Sequence, residues 1–248
     1  MSKTILNVLI VVLALIIVFS GFMIISEISK SEKEKENFKS LSEIVTKPIE
    51  TKPESSEEES VDEPVHKRNL GPLLEKNPDF IGWLSISGTN IDYPVVHTPY
   101  EPQKYLRMDF EGEYAMSGVP FLEGTRDLTD GHIIIYGHNM KNGTMFSDII
   151  KYTEEEYFSN HRIIEFETID GLKEYEIFAA VILKSDDMWY YFNYSESKET
   201  FVEFTDYIEE KSLYETGTET PFGKQILTLS TCYGDSDEDR MILVGIEK

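Results

Sequence analysis

From Ile5 to Ile25 the chain carries no charged side chain. As a helix rising ~1.5 Å per residue, this run is about 31 Å long, which matches the ~30 Å of hydrocarbon in a bilayer. In that setting only a helix satisfies every backbone polar group within one segment. A cleaved signal peptide would have a shorter apolar core followed by a small-residue cleavage site. Here the run is long and no A-x-A pattern follows, so residues 1–26 read as a short tip and an uncleaved transmembrane anchor. Lys3 precedes the span, whereas Lys30, Lys33 and Lys35 follow it among glutamates. Charge asymmetry therefore does not orient the helix.

Residues 27–68 form a charged linker. Phe38, Leu41 and Ile44 sit at helical spacing, which allows a short helical stalk. From Lys47 the composition turns to Pro, Ser and Glu, including Glu57, Glu58 and Glu59. Such a segment buries too little apolar area to offset its ordering entropy, so it reads as a spacer.

Residues 69–248 carry the folded domain. Short β-type runs at Ile81–Ile86, Ile91–Val96, Val119–Leu122, Ile133–Tyr136 and Ile163–Thr168 are split by turn residues. Asp170-Gly171 is a hairpin signal joining Ile163–Thr168 to Tyr175–Leu183. Two more runs, Gln225–Thr231 and Met241–Ile246, close the sequence. About eight short strands predict a mostly β domain, barrel or sandwich. Helical patterns cover Leu73–Lys76, Phe146–Tyr152 and Lys198–Tyr214. The last places Phe201, Phe204, Tyr207 and Ile208 on one face, in an insertion ahead of the final two strands.

The balance of 46 acidic to 23 basic residues, a formal charge of -23, argues against a nucleic-acid partner, since phosphate binding needs a basic surface. The single cysteine, Cys232, rules out a disulfide within the chain and any multi-cysteine metal site. It ends the apolar run Ile226–Thr231, and Arg240 begins the next run after a polar loop. If the two runs pair antiparallel, thiol and guanidinium flank one mouth of the sheet. His138 likewise follows a β-type run, Ile133–Gly137. A thiol is a nucleophile as thiolate, and a nearby cation stabilises that anion. Imidazole can protonate a departing amine, and arginine donors can hold an oxyanion. Three strand ends could thus assemble acyl transfer through a thioester.

The stretch Thr228-Leu229-Ser230-Thr231-Cys232, with Arg240 opening the next strand, resembles the signature of the sortase family. Tyr136-Gly137-His138-Asn139-Met140 is similar to the family's histidine segment. Asn77–Leu84 and Ile91–Val95 resemble the opening of class B members, as does the long helical insertion. The resemblance covers residues from about Leu73 onward. It implies a sortase-like eight-stranded β-barrel with short helices, and a membrane-anchored cysteine transpeptidase of a Gram-positive cell wall. Cys232 would be the nucleophile, His138 the general acid and base, and Arg240 the oxyanion support. Ser230 and Tyr233 would be substrate-binding candidates, each equally readable as an ordinary strand or loop residue. The implied partners are secreted proteins with a C-terminal sorting motif, cut after Thr, and an amine of lipid II or the peptidoglycan cross-bridge. That amine places the domain outside the cell.

His66, His97, His132 and His161 match no motif and read as structural or solvated. The acidic loop from Asp235 lacks the Gly and Glu that an EF-hand requires at its sixth and twelfth positions; those places hold Arg240 and Ile246. No metal and no cofactor is expected. Two other functions compete: a pilus-polymerising sortase, whose aromatic lid and C-terminal helix are not evident, and a non-catalytic anchored β-domain that binds extracellular protein or wall polymer.

Overall fold

The computed structural model describes residues 3–46, 65–192, 197–236 and 238–248. Two units separate, residues 1–39 and residues 40–248. The spacer from Lys47 to Pro64, expected from its composition, lies outside the described residues.

The first unit is most of one long helix, α1 (Lys3–Val45). It is long and apolar enough to cross a membrane. Leu15, Phe22 and Ile25 expose most of their surface along it. Helix and stalk are continuous because nothing between Ile25 and Val45 breaks the hydrogen-bond ladder: there is neither proline nor an unfavourable β-branched run.

The second unit is a closed barrel. Its strands are β1 (Phe80–Ser85), β2 (Asp92–Val96), β3 (Phe121–Leu122), β4 (His132–Tyr136), β5 (Ile163–Thr168), β6 (Gly171–Lys184), β7 (Ile226–Cys232) and β8 (Asp239–Glu247). The order around the barrel is β1-β2-β3-β4-β7-β8-β6-β5. The pairs β2–β3 and β4–β7 are parallel, and the others are antiparallel. Sandwich and barrel were both open from the strand pattern; closure leaves no free edge to cover. The hairpin between β5 and β6 turns on Ile169 and Asp170, and Gly171 pairs with Thr168 at φ 123°. The turn thus lies one residue earlier than the Asp-Gly signal places it.

Short helices and one longer helix decorate the barrel: α2 (Gly71–Lys76), α3 (Glu155–Asn160), 3-10 segments at Lys104–Arg107, Phe146–Thr153 and Met188–Tyr191, and the longer α4 (Lys198–Glu210). Ser197 caps α4 through its side chain and Thr200 N–H. The helix ends before Tyr214, where a hydrogen bond from Leu213 N–H to the Ala180 carbonyl draws the chain onto β6. Phe201 and Ile208 on α4 pack with Trp189, Phe178, Ile226 and Val244. Because successive side chains on a strand alternate, Ile226, Thr228, Ser230 and Cys232 of β7 share one face, which this insertion covers at Ile226 and Thr228 and leaves exposed at Cys232. Leu227 and Leu229 point the other way, into the barrel. Being covered on both sides, β7 reads as a near-continuous buried run.

The unit also includes residues on either side of the spacer. Leu41 and Val45 are buried, and Asn69 N–H donates to the Val45 carbonyl at 2.8 Å. The fully buried Glu167 carboxylate accepts the backbone N–H groups of Lys67 (2.7 Å) and Arg68 (3.0 Å) and the Arg68 guanidinium (3.3 Å). Asp92 accepts from Trp83 Nε1 (2.6 Å), from Arg68 (3.2 Å) and from Ser42 Oγ (3.2 Å).

Candidate functional site

The antiparallel register of β7 and β8 sets Cys232 directly opposite Arg240. Side chains so paired lie on one face with Cβ atoms ~4.5–5.5 Å apart. The parallel register of β4 and β7 pairs Tyr136 with Ser230, so the chain leaving β4 emerges beside Cys232. Gly137 N–H donates to the Ser230 carbonyl at 3.1 Å, and Thr231 Oγ1 donates to the Gly137 carbonyl at 2.8 Å. Asn139 Nδ2 donates to the Cys232 carbonyl at 3.1 Å. Gly137 is required by space: a Cβ there would stand 2.7 Å from the Phe146 ring.

These strand ends open into a groove of about 580 Å³ lined by His138, Ser230, Cys232 and Arg240. The three residues expected to carry chemistry are thus brought to one cavity. Cys232 is exposed and unpaired with any other sulfur. His138 is half-buried, and its Nε2 lies 2.8 Å from the Leu106 carbonyl oxygen. Burial holds its pKa below the ordinary value, and nearby Arg107 acts the same way, against the Leu106 bond. The Arg240 guanidinium donates to the Asp239 carbonyl at 3.0 Å, and the residue lines the groove.

Ser230 lines the groove but is almost fully buried, and its hydroxyl is 2.8 Å from Tyr190 OH. Tyr233 donates its backbone N–H to the Asp239 carbonyl, closing the β7–β8 loop, and lies outside the groove lining. His132 is structural: fully buried, it contacts Phe192 O (3.0 Å) and Thr228 Oγ1 (2.9 Å) and packs against Trp189. Burial pushes its pKa down to about 3. His66 lies 3.4 Å from Glu167, and His161 Nδ1 lies 2.7 Å from the Tyr157 carbonyl, both away from the groove.

Two contributors were not legible in the sequence. Tyr190, in a 3-10 turn at Met188–Tyr191, stacks on Tyr136 and hydrogen-bonds Ser230, two residues that line the groove. Burial raises its pKa to about 12, so its hydroxyl stays protonated. Arg126 is buried and holds that turn down, donating to the carbonyls of His132 (2.8 Å), Tyr190 (2.9 Å) and Phe192 (2.9 Å). Its sequence setting, Gly124-Thr125-Arg126-Asp127, reads as an ordinary polar loop. Only the buried guanidinium, whose two terminal nitrogens donate to three carbonyls, reveals its role.

The family model described as Sortase domain matches residues 84–247. Sortase B of Listeria monocytogenes is 33% identical over 183 residues, covering 71% of this chain and 72% of the relative. A solved sortase B of B. anthracis superposes with a TM-score of 0.73 at 25% identity, covering 89% of this chain and 99% of that one. A Staphylococcus aureus sortase B–substrate complex gives a TM-score of 0.66 at 28% identity, covering 71% and 83%.

Proposed function

This chain belongs to the sortase family, class B, and from that membership we propose that its cysteine transpeptidase chemistry runs through Cys232, His138 and Arg240. The observation that carries this assignment is the register that sets Cys232 against Arg240 and delivers His138 to the same groove. Cys232 Sγ attacks the carbonyl carbon of the motif threonine, its proton passing to His138. A C–S bond forms as the C–N bond breaks, and His138 returns the proton to the departing amine. An acceptor amine then attacks the thioester: a C–N bond forms as the C–S bond breaks, and the amine's proton passes by way of His138 to the departing Cys232 sulfur. Arg240 donates to the oxygen that carries negative charge in each step.

Ser230, held by Tyr190, contacts substrate from the groove lining, and Tyr233, next to Cys232 in the chain, is a second substrate contact from outside that lining. The donor is a secreted protein bearing a sorting motif, in keeping with the substrate complex of the staphylococcal relative. The acceptor is the amine of lipid II or a peptidoglycan cross-bridge. Residues 1–26 anchor the chain, residues 27–68 connect, and residues 69–248 catalyse outside the membrane.

The test is cleavage of candidate sorting peptides by the full chain in detergent, with and without an amine acceptor. Cys232→Ala is expected to lose cleavage and to form no thioester while keeping its fold; substantial residual activity refutes the assignment. Orientation is tested on intact protoplasts, where external protease should remove the C-terminal domain. Protection from protease would place it inside and exclude the wall acceptor.

A further inference from the structure

Given the roles proposed above, we infer that the main-chain carbonyl of Leu106 fixes His138 as the Nε2–H tautomer, leaving Nδ1 to exchange protons with thiol and substrate, and that Tyr105 is the positioning residue that holds this carbonyl in place.

The bond between His138 Nε2 and the Leu106 oxygen is 2.8 Å long. A carbonyl oxygen can only accept, so Nε2 carries a proton. A neutral imidazole carries one proton, and burial favours the neutral ring. Nδ1 is then the lone-pair nitrogen. In the proposed step it takes the proton from Cys232 Sγ and passes it to the leaving amine, while Nε2–H never leaves the carbonyl. When the ring is doubly protonated, the same bond becomes charge-assisted and strengthens.

The carbonyl belongs to a 3-10 turn at Lys104–Arg107, whose oxygens on either side of it are held by the returning segment 115–119. Tyr105 O accepts from Val119 N–H (3.1 Å), Leu106 O faces His138, and Arg107 O accepts from Ala115 N–H (3.2 Å). The returning chain crosses this turn closely at Gly118, which has φ 59°; a Cβ there would stand 2.4 Å from Tyr105 O and 2.8 Å from Leu106 O. The turn is bolted by the Tyr105 side chain, which is nearly fully buried. Its hydroxyl donates to Asp79 Oδ2 (2.9 Å) and accepts from Asn77 Nδ2 (2.9 Å). Lys104 Nζ adds a 2.5 Å bond to the same Asp79 oxygen. Asn77 also donates to the Phe110 carbonyl at 2.9 Å. Asn77 and Tyr105 are buried, Asp79 and Lys104 partly so, and together they form a connected hydrogen-bond network that specifies one geometry.

Nitrogen-15 spectra of histidine-labelled full chain in detergent, with His138 assigned by its absence in His138→Gln, read the tautomer without reference to turnover. The expected result at neutral pH is a pyrrole-type Nε2 and an imine-type Nδ1. Tyr105→Phe should move the two shifts toward each other as the tautomers mix. It should also lower kcat for acylation ~2- to ~10-fold, the worth of about one hydrogen bond, with KM little changed. An Nδ1–H ring in active wild-type enzyme overturns the inference but leaves the Cys232–His138–Arg240 roles standing. A Tyr105→Phe enzyme with the wild-type tautomer overturns the role of Tyr105. Failure of the underlying catalytic reading looks different: His138→Ala would keep its turnover.

Discussion

Cys232 and Arg240 face each other across two paired strands, so the substitution Arg240→Lys changes the shape of the donor and not its sign. Guanidinium presents a planar fork, whereas ammonium is a compact point charge on a flexible stem. Loss of one oxyanion donor costs roughly 10²–10³ in rate, or about 2.7–4 kcal/mol. Single-turnover acylation by Arg240→Lys should fall on that scale, while a small alkylating reagent still modifies Cys232. Acylation at the wild-type rate would make Arg240 a strand residue only. His138→Ala should lose turnover more completely, because no second group in the proposed mechanism protonates the amine. Cys232, His138 and Arg240 were legible from chemistry and motif, since each follows or opens an apolar run. Tyr190 was not, because its position depends on a turn held by a distant arginine.

At the scale of elements, the positions of all eight strands were readable from alternation and turn residues, to within a few residues at each end. What sequence could not supply was pairing order. The parallel pairs β2–β3 and β4–β7 leave no mark on local composition, yet β4–β7 brings His138 to Cys232. The helical pattern over Phe146–Tyr152 is matched by the 3-10 segment at Phe146–Thr153, but α3 and the 3-10 turns at Lys104–Arg107 and Met188–Tyr191 were missed for a related reason: so brief a turn is set by what it packs on, not by propensity. The β4–β7 seam also carries a pH dependence. His132, at the start of β4, is buried with its pKa lowered from 6.5 to about 3. The unfolded chain therefore binds a proton that the folded chain refuses. The stability from this group is complete above about pH 6.5 and is lost as pH falls toward 3, by up to ~1.4 kcal/mol per pH unit. Denaturant melts of wild type and His132→Gln across that window should show the steeper acid loss in wild type. Parallel curves would mean that the ring is protonated in the fold. On the same seam, Arg126→Gln should free the Tyr190 turn and raise KM for peptide, with less effect on kcat, measurable by steady-state cleavage.

For the molecule as a whole, the compact unit begins at Ser40, within the same helix that bears the apolar span. Glu167 fastens the chain as it returns from the spacer. Breaking a buried, hydrogen-bonded ion pair by removing one partner typically costs about 3–5 kcal/mol. Glu167→Gln should lower stability in that direction, read by urea denaturation; an unchanged midpoint would show that the segment 65–68 is held by packing alone. Deleting residues up to about Lys30 spares Leu41 and Val45 and should give a soluble, peptide-cleaving protein. Retention on membranes would refute the anchor.

The order of strands around the barrel differs from their order along the chain, and this has a kinetic meaning. Strand β7 occupies the gap between β4 and β8, and β8 lies against β6. Until the last two strands are made, β4 and β6 have open edges facing that gap, and edges of this kind invite pairing with other chains. Closing the gap joins residues far apart in sequence, a topology that folds slowly. The proposed nucleophile, Cys232, arrives on the strand that fills the gap. A nascent chain therefore has no assembled thiol centre until its barrel closes, and the reactive site and the finished fold are born in one event.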